Sequence, residues 1–398
     1  MATNKNYLTG KEIRAIAKEN AKQMKRLEAY KNRKAPESEF LTTMRNDANI
    51  LEIEDLHTYF FTEQGVVKAV NGVSYDVPKN SVVGIVGESG CGKSVTSMSV
   101  MRLIQGPTGQ IVDGSIRFKA YDYKRDEKGN PISDENGFVH EEKIYDIAKM
   151  PINEIHRIRG KQIAMIFQEP MTSLNPVFTI GEQLDEVTLI HVPGATKELA
   201  KAKSEEMLRL VGIIPENVYN AFPHELSGGM RQRVMIAMAL AAEPRLIIAD
   251  EPTTALDVTI QAQILDLLQD IKKKIDGSIL LITHDLGVIA EMADYVVVMY
   301  AGKVIEKGTV FEIFQDPKHP YTIGLQKSKP TMTLDDSTEL YNIPGNVPNP
   351  VNMPTHCYFK ERCAKCTAKC SGEYPGMVQV SPTHFVACHL YDEENSNG

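Results

Sequence analysis

Short apolar runs alternate with amphipathic stretches over most of this chain, and the alternation predicts a layered α/β fold. Runs of buried-strand character occupy residues 82–86, 162–167, 245–249, 278–282 and 295–299. Helical periodicity predicts helices at 95–104, at 180–242 with breaks near Pro193 and Pro215, and at 260–275. Strands that alternate with helices imply a mostly parallel sheet with helices on both faces.

The first third of the chain alternates with a period of two instead, which is typical of antiparallel strands. Residues 50–56 and 66–77 flank a turn at 63–65, and 114–118 predicts another short strand. Residues 120–146 are charged and rich in turn residues, so we interpret them as a surface hairpin or loop without a chemical role.

Residues 1–48 predict an N-terminal helical extension. A capping box from Thr9 to Glu12 begins a helix that is rich in Lys and Arg. Contact with anionic lipid is one interpretation of such a basic helix. A solvated extension is favoured, because the apolar face lacks Trp and Phe.

Composition limits the classes of partner. The 398 residues carry a formal net charge of −8, which argues against nucleic acid as the main partner. No apolar run reaches the roughly 18 residues that span a bilayer, and no signal peptide opens the chain. We expect a soluble intracellular protein, or one held at a membrane by partners.

A glycine-rich stretch between an apolar strand and a helix predicts a phosphate-binding loop, or P-loop. It comprises Gly87, Glu88, Ser89, Gly90, Cys91, Gly92, Lys93 and Ser94. Its glycines let backbone N–H groups point at phosphate oxygens, and the helix adds the positive end of its dipole. Lys93 is placed to reach the β- and γ-phosphates of a nucleoside triphosphate, and Ser94 to ligate Mg²⁺.

An aromatic side chain upstream of this loop could stack on the purine base of the nucleotide. Phe60, at the end of the first strand, is the candidate, and Tyr59 and Phe61 are its rivals. Simple core packing is the alternative interpretation.

Polar residues end three of the predicted parallel strands, where ligands of such sheets bind. Asp250 would hold Mg²⁺ through its water shell, and Glu251 would polarise the attacking water. His284 follows in the order expected of a γ-phosphate sensor, with a purely structural histidine as the alternative. Gln168 ends an earlier strand, within reach of Mg²⁺ and the attacking water.

A second anion-binding helix terminus is predicted at Leu226, Ser227, Gly228 and Gly229. It lies more than a hundred residues beyond the P-loop, in a different predicted subdomain. One copy of the chain cannot easily bring the two together, whereas a second copy facing it head-to-tail can.

These motifs, in this order, resemble the nucleotide-binding cassette of ABC transporters. The resemblance covers about residues 50–310 and includes Asp257 of the D-loop; Met230 departs from it, where the family more often has Gln. It implies an ABC-type P-loop cassette at 49–310 with a RecA-like core, an antiparallel β subdomain, and a helical subdomain at about 170–242. It also implies ATP hydrolysis with Mg²⁺.

A narrower resemblance is to the ATPase subunits of oligopeptide, dipeptide and nickel importers. It rests on Gln168 to Pro176, His319 to Thr322, and Ile343 to Pro348. It implies a heterodimer of two related ATPases at the cytoplasmic face of the plasma membrane, beneath two permease subunits and fed by an extracellular binding protein. Peptide is the favoured cargo and nickel the alternative; a soluble, non-transport ABC ATPase is a distant third.

The C-terminal region, 311–398, gathers five of the six cysteines: Cys357, Cys363, Cys366, Cys370 and Cys388. Spacing alone leaves zinc and an iron–sulfur cluster both open. The importer resemblance implies a [4Fe–4S] cluster on Cys357, Cys363, Cys370 and Cys388, with Cys366 as a substitute ligand, in a small C-terminal lobe. For the sixth cysteine, Cys91, a simple space-filling role is favoured over redox gating.

Overall fold

The computed structural model describes residues 8–124, 126, 131–134, 137–169, 173–254, 256–274, 277–328, 341–351 and 353–392. Parts of several predicted features lie outside these ranges, including residues 1–7 of the N-terminal extension and residue 275 of a predicted helix. The others are residues 170–172 after Gln168, residue 255 of the D-loop, and portions of 120–146 and 311–398. Among the described residues, no helix combines the length and apolarity needed to cross a bilayer.

The main sheet has eight strands in the order β13-β14-β12-β11-β3-β10-β9-β8. They are β3 (Val82–Val86), β8 (Ile163–Ile166), β9 (Leu246–Asp250), β10 (Ser278–Ile282), β11 (Tyr295–Tyr300), β12 (Lys303–Thr309), β13 (Val378–Gln379) and β14 (Phe385–Val386). The neighbours from β11 to β8 pair in parallel. Residues of β9 alternate between two hydrophobic clusters, so both sheet faces are buried, which explains its continuous apolar sequence.

A four-stranded antiparallel sheet, in the order β2-β1-β4-β7, packs beside the main sheet. Its strands are β1 (Asn49–Thr62), β2 (Gly65–Pro78), β4 (Gly109–Tyr123) and β7 (His140–Asp146). A short hairpin of β5 (Ser133–Asp134) and β6 (Gly137–Phe138) lies between β4 and β7. This sheet corresponds to the period-two pattern of the sequence.

Ten α-helices are given bounds among the described residues, besides short 3-10 turns. They are α1 (Gly10–Lys31), α2 (Lys93–Val100), α3 (Ile180–His191), α4 (Lys197–Leu210), α5 (Pro215–Val218), α6 (Gly228–Leu240), α7 (Val258–Lys274), α8 (Leu286–Met292), α9 (Val310–Gln315) and α10 (Pro320–Lys327). The capping box predicted for α1 is confirmed, with Thr9 and Glu12 in reciprocal contact. Helix α2 ends earlier than predicted, because Arg102 adopts a left-handed conformation with φ of 53°.

The hairpin predicted at residues 120–146 is present, but its two ends are buried in the antiparallel sheet instead of lying at the surface. β4 runs to Tyr123, and β7 pairs with it from Arg117 to Tyr123. Charged strand residues are satisfied by ion pairs: the fully buried Lys119 contacts Asp47, and Lys143 lies 2.9 Å from Glu141. These charges give a sheet strand the sequence pattern of a solvated loop.

The N-terminal helix α1 packs on this antiparallel sheet. Asn20 is buried and donates a hydrogen bond to the carbonyl oxygen of Thr62 at 2.8 Å. Gln110 donates to the carboxylate of Glu28 at 2.6 Å. The helix therefore has a polar docking seam as well as its apolar stripe.

The described C-terminal segment, residues 341–392, attaches to the main sheet instead of forming a separate lobe. β14 pairs with β12, and β13 extends the edge beyond it. Its aromatic residues Tyr358 and Phe359 join the same hydrophobic cluster as β3 and β11. A sequence rich in turns and cysteines gave no signal for this sheet extension.

Candidate functional site

The carboxyl ends of four parallel strands meet at one edge of the main sheet and form the site. Ile282 of β10 lies opposite both Ile85 of β3 and Asp250 of β9, so these three strands end level with one another. β8 runs parallel on the far side of β9 and ends at Ile166. The residues that follow each strand therefore enter the same region.

The P-loop between β3 and α2 depends on two glycines that no larger residue could replace. At Gly87, with φ of 154°, an added Cβ would lie 2.2 Å from the carbonyl oxygen of Met299. At Gly92, with φ of 102°, it would lie 2.5 Å from the carbonyl oxygen of Ala69. Both obstacles are backbone atoms, so the loop could not relax around a side chain. The third predicted glycine, Gly90 (φ 79°), faces open space.

Lys93 begins α2 and is buried, with its ammonium group turned back into the loop. Its Nζ donates to the carbonyl oxygens of Gly87 at 2.6 Å and Glu88 at 3.2 Å. These bonds hold the cation at the mouth of the loop, where a polyphosphate anion would replace or share them.

Ser94 and Asp250 lie in contact and supply oxygen ligands suited to a divalent cation. The Ser94 hydroxyl donates to Asp250 Oδ1 at 3.0 Å. Burial raises the pKa of the Asp250 carboxyl, while the Ser94 hydrogen bond opposes this rise. A hydroxyl beside a carboxylate fits Mg²⁺, which binds proteins through one or two such oxygens together with phosphate and water.

Glu251 is the centre of a small hydrogen-bond network next to these ligands. Its Oε2 accepts bonds from Gln168 Nε2 at 3.1 Å and from Thr254 Oγ1 at 2.8 Å. Its Oε1 lies 3.4 Å from His284 Nδ1. Glu251 has φ of 47°, an uncommon left-handed conformation that turns the chain sharply at the end of β9.

These groups line one open cleft of about 460 Å³. Its lining residues are Ala69, Ser89, Gly90, Gly92, Lys93, Ser94, Val95, Gln168, Glu251 and His284. Sequence reasoning missed Ala69, which comes from β2 and closes one side. A carbonyl contributed by a neighbouring strand leaves no mark in the local sequence.

Phe60 lies near the cleft but does not line it. It is half-buried and pairs with Val67 on β2, two residues before Ala69, so it shares that strand face. Its rivals are otherwise engaged: Phe61 is buried, and the hydroxyl of Tyr59 donates to Asn71 at 2.8 Å. The Phe60 ring also packs close to Gly109, where an added Cβ would lie 2.9 Å from Phe60 Cε1. Base stacking by Phe60 stays a prediction, with core packing as its alternative.

Glu88 connects the P-loop to the C-terminal segment, a contact that no sequence motif indicated. Its carboxylate accepts two hydrogen bonds from Arg362, at 2.7 Å and 3.0 Å. Its backbone N–H donates to the hydroxyl of Tyr321 at 2.8 Å. Arg362 and Tyr321 lie far along the chain, beside predicted motifs to which no P-loop role was given.

The segment Leu226 to Gly229 lies apart from this cleft. Leu226 is buried, whereas Ser227 caps α6 by accepting the Met230 N–H at 3.3 Å and is itself exposed. Gly228 is also exposed, and an added Cβ there would meet no atom within 4 Å. Asp257 is exposed as well. None of these residues lines the P-loop cleft of the same chain.

The five C-terminal cysteines are free thiols in different environments. Cys370 and Cys388 are buried, Cys357 and Cys363 half-buried, and Cys366 exposed. Burial raises the pKa of Cys388 to about 11, and electrostatic repulsion from Cys357, Cys363 and Cys370 adds to the rise. Within the described residues, no group of three or more Cys, His, Asp or Glu side chains could hold a metal ion as it stands.

Cys91 of the P-loop is also a free thiol, but it is almost fully buried. Burial raises its pKa. A buried, protonated thiol reacts slowly with oxidants, in keeping with a space-filling role.

Known proteins match both parts of the chain. The ABC transporter family model matches residues 70–254, and that of the oligopeptide/dipeptide transporter C-terminal region matches residues 305–370. The oligopeptide transport ATP-binding protein AppD of Bacillus subtilis (strain 168) is 46% identical over 351 residues, which cover 88% of this chain and 99% of that protein. OppD of the same organism is 49% identical over 342 residues, covering 86% and 88%.

Solved structures show the same fold. The dimeric post-hydrolysis state of the ATP-binding cassette MJ0796, bound to ADP and Pi, has a TM-score of 0.53 at 23% identity, covering 65% of this chain and 98% of that chain. CbiO1 of Clostridium perfringens has a TM-score of 0.52 at 24% identity, covering 70% and 96%. The family predicted from the order of the motifs is confirmed. The chain belongs to the ATP-hydrolysing subunits of ABC transporters, in the branch of the oligopeptide and dipeptide transport ATP-binding proteins.

Proposed function

We propose that ATP hydrolysis by this chain drives the import of oligopeptides or dipeptides through a membrane permease. The observation that carries the proposal is the convergence of Gln168, Glu251 and His284 on the P-loop cleft. It occurs in a chain that aligns with peptide-transport ATPases over nearly their whole length.

The cleft residues divide the hydrolytic work. Glu251, hydrogen-bonded to Gln168 and Thr254, orients and polarises the attacking water as the general base. His284, beside Glu251 on the neighbouring strand, senses the γ-phosphate. Ser94 and Asp250 would hold Mg²⁺, which neutralises phosphate charge when it is bound. Lys93 and the loop N–H groups bind the β- and γ-phosphates.

A second ATPase subunit completes the site in this proposal. The exposed Ser227 and Gly228 have no role in the cleft of their own chain, so we assign them to the P-loop of a partner that binds head-to-tail. The partner is a homologous ATPase, in a heterodimer. Its segment equivalent to residues 226–229, which we call the signature, closes over the γ-phosphate at Lys93. Asp257 of the D-loop is exposed as well, and we assign it to the interface between the two ATP sites.

We place the heterodimer at the cytoplasmic face of the membrane, beneath two permease subunits that an extracellular binding protein supplies. Exposed apolar side chains follow Gln168, with Val177 71% exposed and Phe178 49% exposed. Apolar side chains in this position suit a permease helix as their partner. Closure of the two cassettes on ATP would then move the permease, and hydrolysis would reset it.

We further propose a [4Fe–4S] cluster on Cys357, Cys363, Cys370 and Cys388. These four are unpaired and at least half-buried, whereas Cys366 is exposed. Because clusters are held by Cys thiolates, binding would deprotonate the four and draw their sulfur atoms together, since the described residues form no metal-holding group as they stand. The cluster would brace the segment, and zinc is the alternative. Anaerobically purified protein should contain iron and sulfide, lose both in Cys388→Ser and keep both in Cys366→Ser. A colourless, zinc-loaded protein would contradict the cluster.

The import function is tested in proteoliposomes that contain the permease and both ATPase subunits. Labelled peptide, delivered by its binding protein, should be taken up with ATP and should stimulate hydrolysis; uptake of Ni²⁺ alone would favour the nickel alternative. Glu251→Gln should still bind ATP but abolish uptake. The matched control is Glu243→Gln, which changes an exposed glutamate paired with Lys203 and should leave uptake unchanged. ATPase activity without any association with membrane proteins would favour the soluble alternative.

A further inference from the structure

Arg362, a buried residue in the cysteine-bearing C-terminal segment, binds the P-loop residue Glu88. The guanidinium of Arg362 makes a two-pronged contact with the Glu88 carboxylate, at 2.7 Å and 3.0 Å. Glu88 directly follows Gly87, and the carbonyl oxygens of both accept hydrogen bonds from Lys93 Nζ. Arg362 therefore binds the side chain of a residue whose backbone carbonyl helps to position the phosphate-binding Lys93.

The orientation of Arg362 is fixed by its surroundings. Its side chain is only 4% exposed. Its Nε donates to the carbonyl oxygen of Pro344 at 2.9 Å, and an Nη lies 3.4 Å from the hydroxyl of Tyr300. The turn Lys360–Arg362 carries it immediately before Cys363. Because these contacts fix the planar guanidinium, its two outer nitrogens can face a carboxylate in one direction only.

A second contact holds the backbone of the same P-loop residue. The hydroxyl of Tyr321, in α10, accepts the Glu88 N–H at 2.8 Å. Tyr321 is fully buried, and its ring packs 4.8 Å from Tyr300 and 5.5 Å from Phe359, measured between ring centroids. Backbone and side chain of Glu88 are thus both anchored in the region that follows the ABC cassette.

Glu88 poses an electrostatic problem that Arg362 solves. A carboxylate in a loop that binds a polyphosphate repels its ligand unless a cation neutralises it and turns it away. Arg362 does both through two charge-assisted hydrogen bonds. If Arg362 only attached the C-terminal segment to the sheet, a carboxylate outside the P-loop would serve equally well.

We propose that Arg362 is a positioning residue for the ATP site, through which the cysteine-bearing C-terminal segment sets the charge and shape of the P-loop and hence its affinity for ATP. The inference rests on the proposed function only in taking ATP as the ligand. It adds that nucleotide affinity in this subunit depends on a region outside the cassette.

The test measures binding of a fluorescent ATP analogue, with Mg²⁺, to the full chain. Arg362→Gln should raise the Kd for the analogue by about tenfold or more, as expected for losing charge-assisted hydrogen bonds. Arg362→Lys should recover part of the affinity, since it restores the charge without the fork. The double variant Glu88→Gln/Arg362→Gln should also recover affinity, because the unpaired carboxylate is gone. Lys203→Gln, which breaks an exposed pair with Glu243, is the matched control and should bind normally.

Folding is checked for each variant by far-UV circular dichroism. An unchanged Kd in folded Arg362→Gln would overturn the inference. So would a double variant that binds as weakly as Arg362→Gln, because charge on Glu88 would then not be the cause. A wild-type chain that fails to bind the analogue would refute the proposed function and this inference together.

Discussion

Mild acid should destabilise the fold through His319, the residue that begins α10. His319 is buried, and its Nδ1 accepts the N–H of Tyr321 at 3.0 Å, so that nitrogen carries no proton in the folded state. The backbone N–H of His319 donates to the buried Glu306 carboxylate at 2.9 Å. Burial lowers the pKa of His319 from 6.5 to about 4, and the charge of Glu306 opposes this only in part.

The sign and size of the effect follow from this shift. Because the folded pKa lies below the unfolded value of 6.5, the unfolded chain binds the proton more tightly. The stabilisation is complete above pH 6.5 and is lost as the pH falls toward 4. At about 1.4 kcal/mol per pKa unit, the loss reaches about 3 kcal/mol below pH 4 and about 2.5 kcal/mol near pH 4.5.

The assay is urea unfolding followed by far-UV circular dichroism, since the chain has no Trp for fluorescence. His319→Asn keeps an N-cap acceptor that cannot titrate, so its stability should fall less than that of the wild type between about pH 7 and about pH 4.5. His156→Asn, at an exposed ring, is the control and should behave like the wild type. Equal pH dependence in His319→Asn and the wild type would refute the burial argument.

The remaining predictions concern the nucleotide site. Gly92→Ala should weaken ATP binding by about tenfold or more, because its Cβ would lie 2.5 Å from the carbonyl oxygen of Ala69. Gly194→Ala, also at positive φ but in open space, should not; equal Kd values would contradict this. Ser94→Ala should raise the Mg²⁺ concentration for half-maximal hydrolysis by about tenfold, and an unchanged Mg²⁺ titration would remove Ser94 from the metal site. Ser227→Arg should leave ATP binding by the isolated chain intact yet stop hydrolysis at the partner's site in the assembled complex, and normal complex activity would argue against a signature role.

Much of the main sheet could be predicted, because strands buried on both faces have unmistakable apolar runs. The runs at 82–86 and 278–282 coincide with β3 and β10, and that at 245–249 differs from β9 by one residue at each end. β4 is longer than predicted, and β7 was not predicted. Their charged residues form ion pairs, Lys119 with Glu142 across the two strands and Lys143 with Glu141 within β7, so the sequence resembles a solvated loop. Whether a charged stretch forms a strand or a loop depends on the neighbouring strand with which it pairs, and the local sequence does not show that strand.

The cleft residues that directly follow parallel strands could be predicted from the sequence. Motifs at the ends of β3, β9 and β10 converge because parallel strands share one carboxyl edge. Arg362 was not predictable, since it is 274 positions from Glu88 and lies in a segment whose cysteines gave the stronger signal. Thr254, three residues after Glu251, is local but belongs to an ordinary turn sequence that gives no sign of its role. The Arg362 contact depends on tertiary packing, so no spacing in the sequence indicates it.

The P-loop cleft as one half of an ATP site is the central claim, and association with the partner ATPase subunit tests it most directly. Full-length chain carrying Glu251→Gln, which should trap ATP without hydrolysing it, is mixed with the partner subunit and its mass is followed by light scattering. We predict a stable heterodimer with ATP and Mg²⁺ that dissociates with ADP. A mass that does not change with nucleotide, while the chain binds ATP, would contradict a shared site.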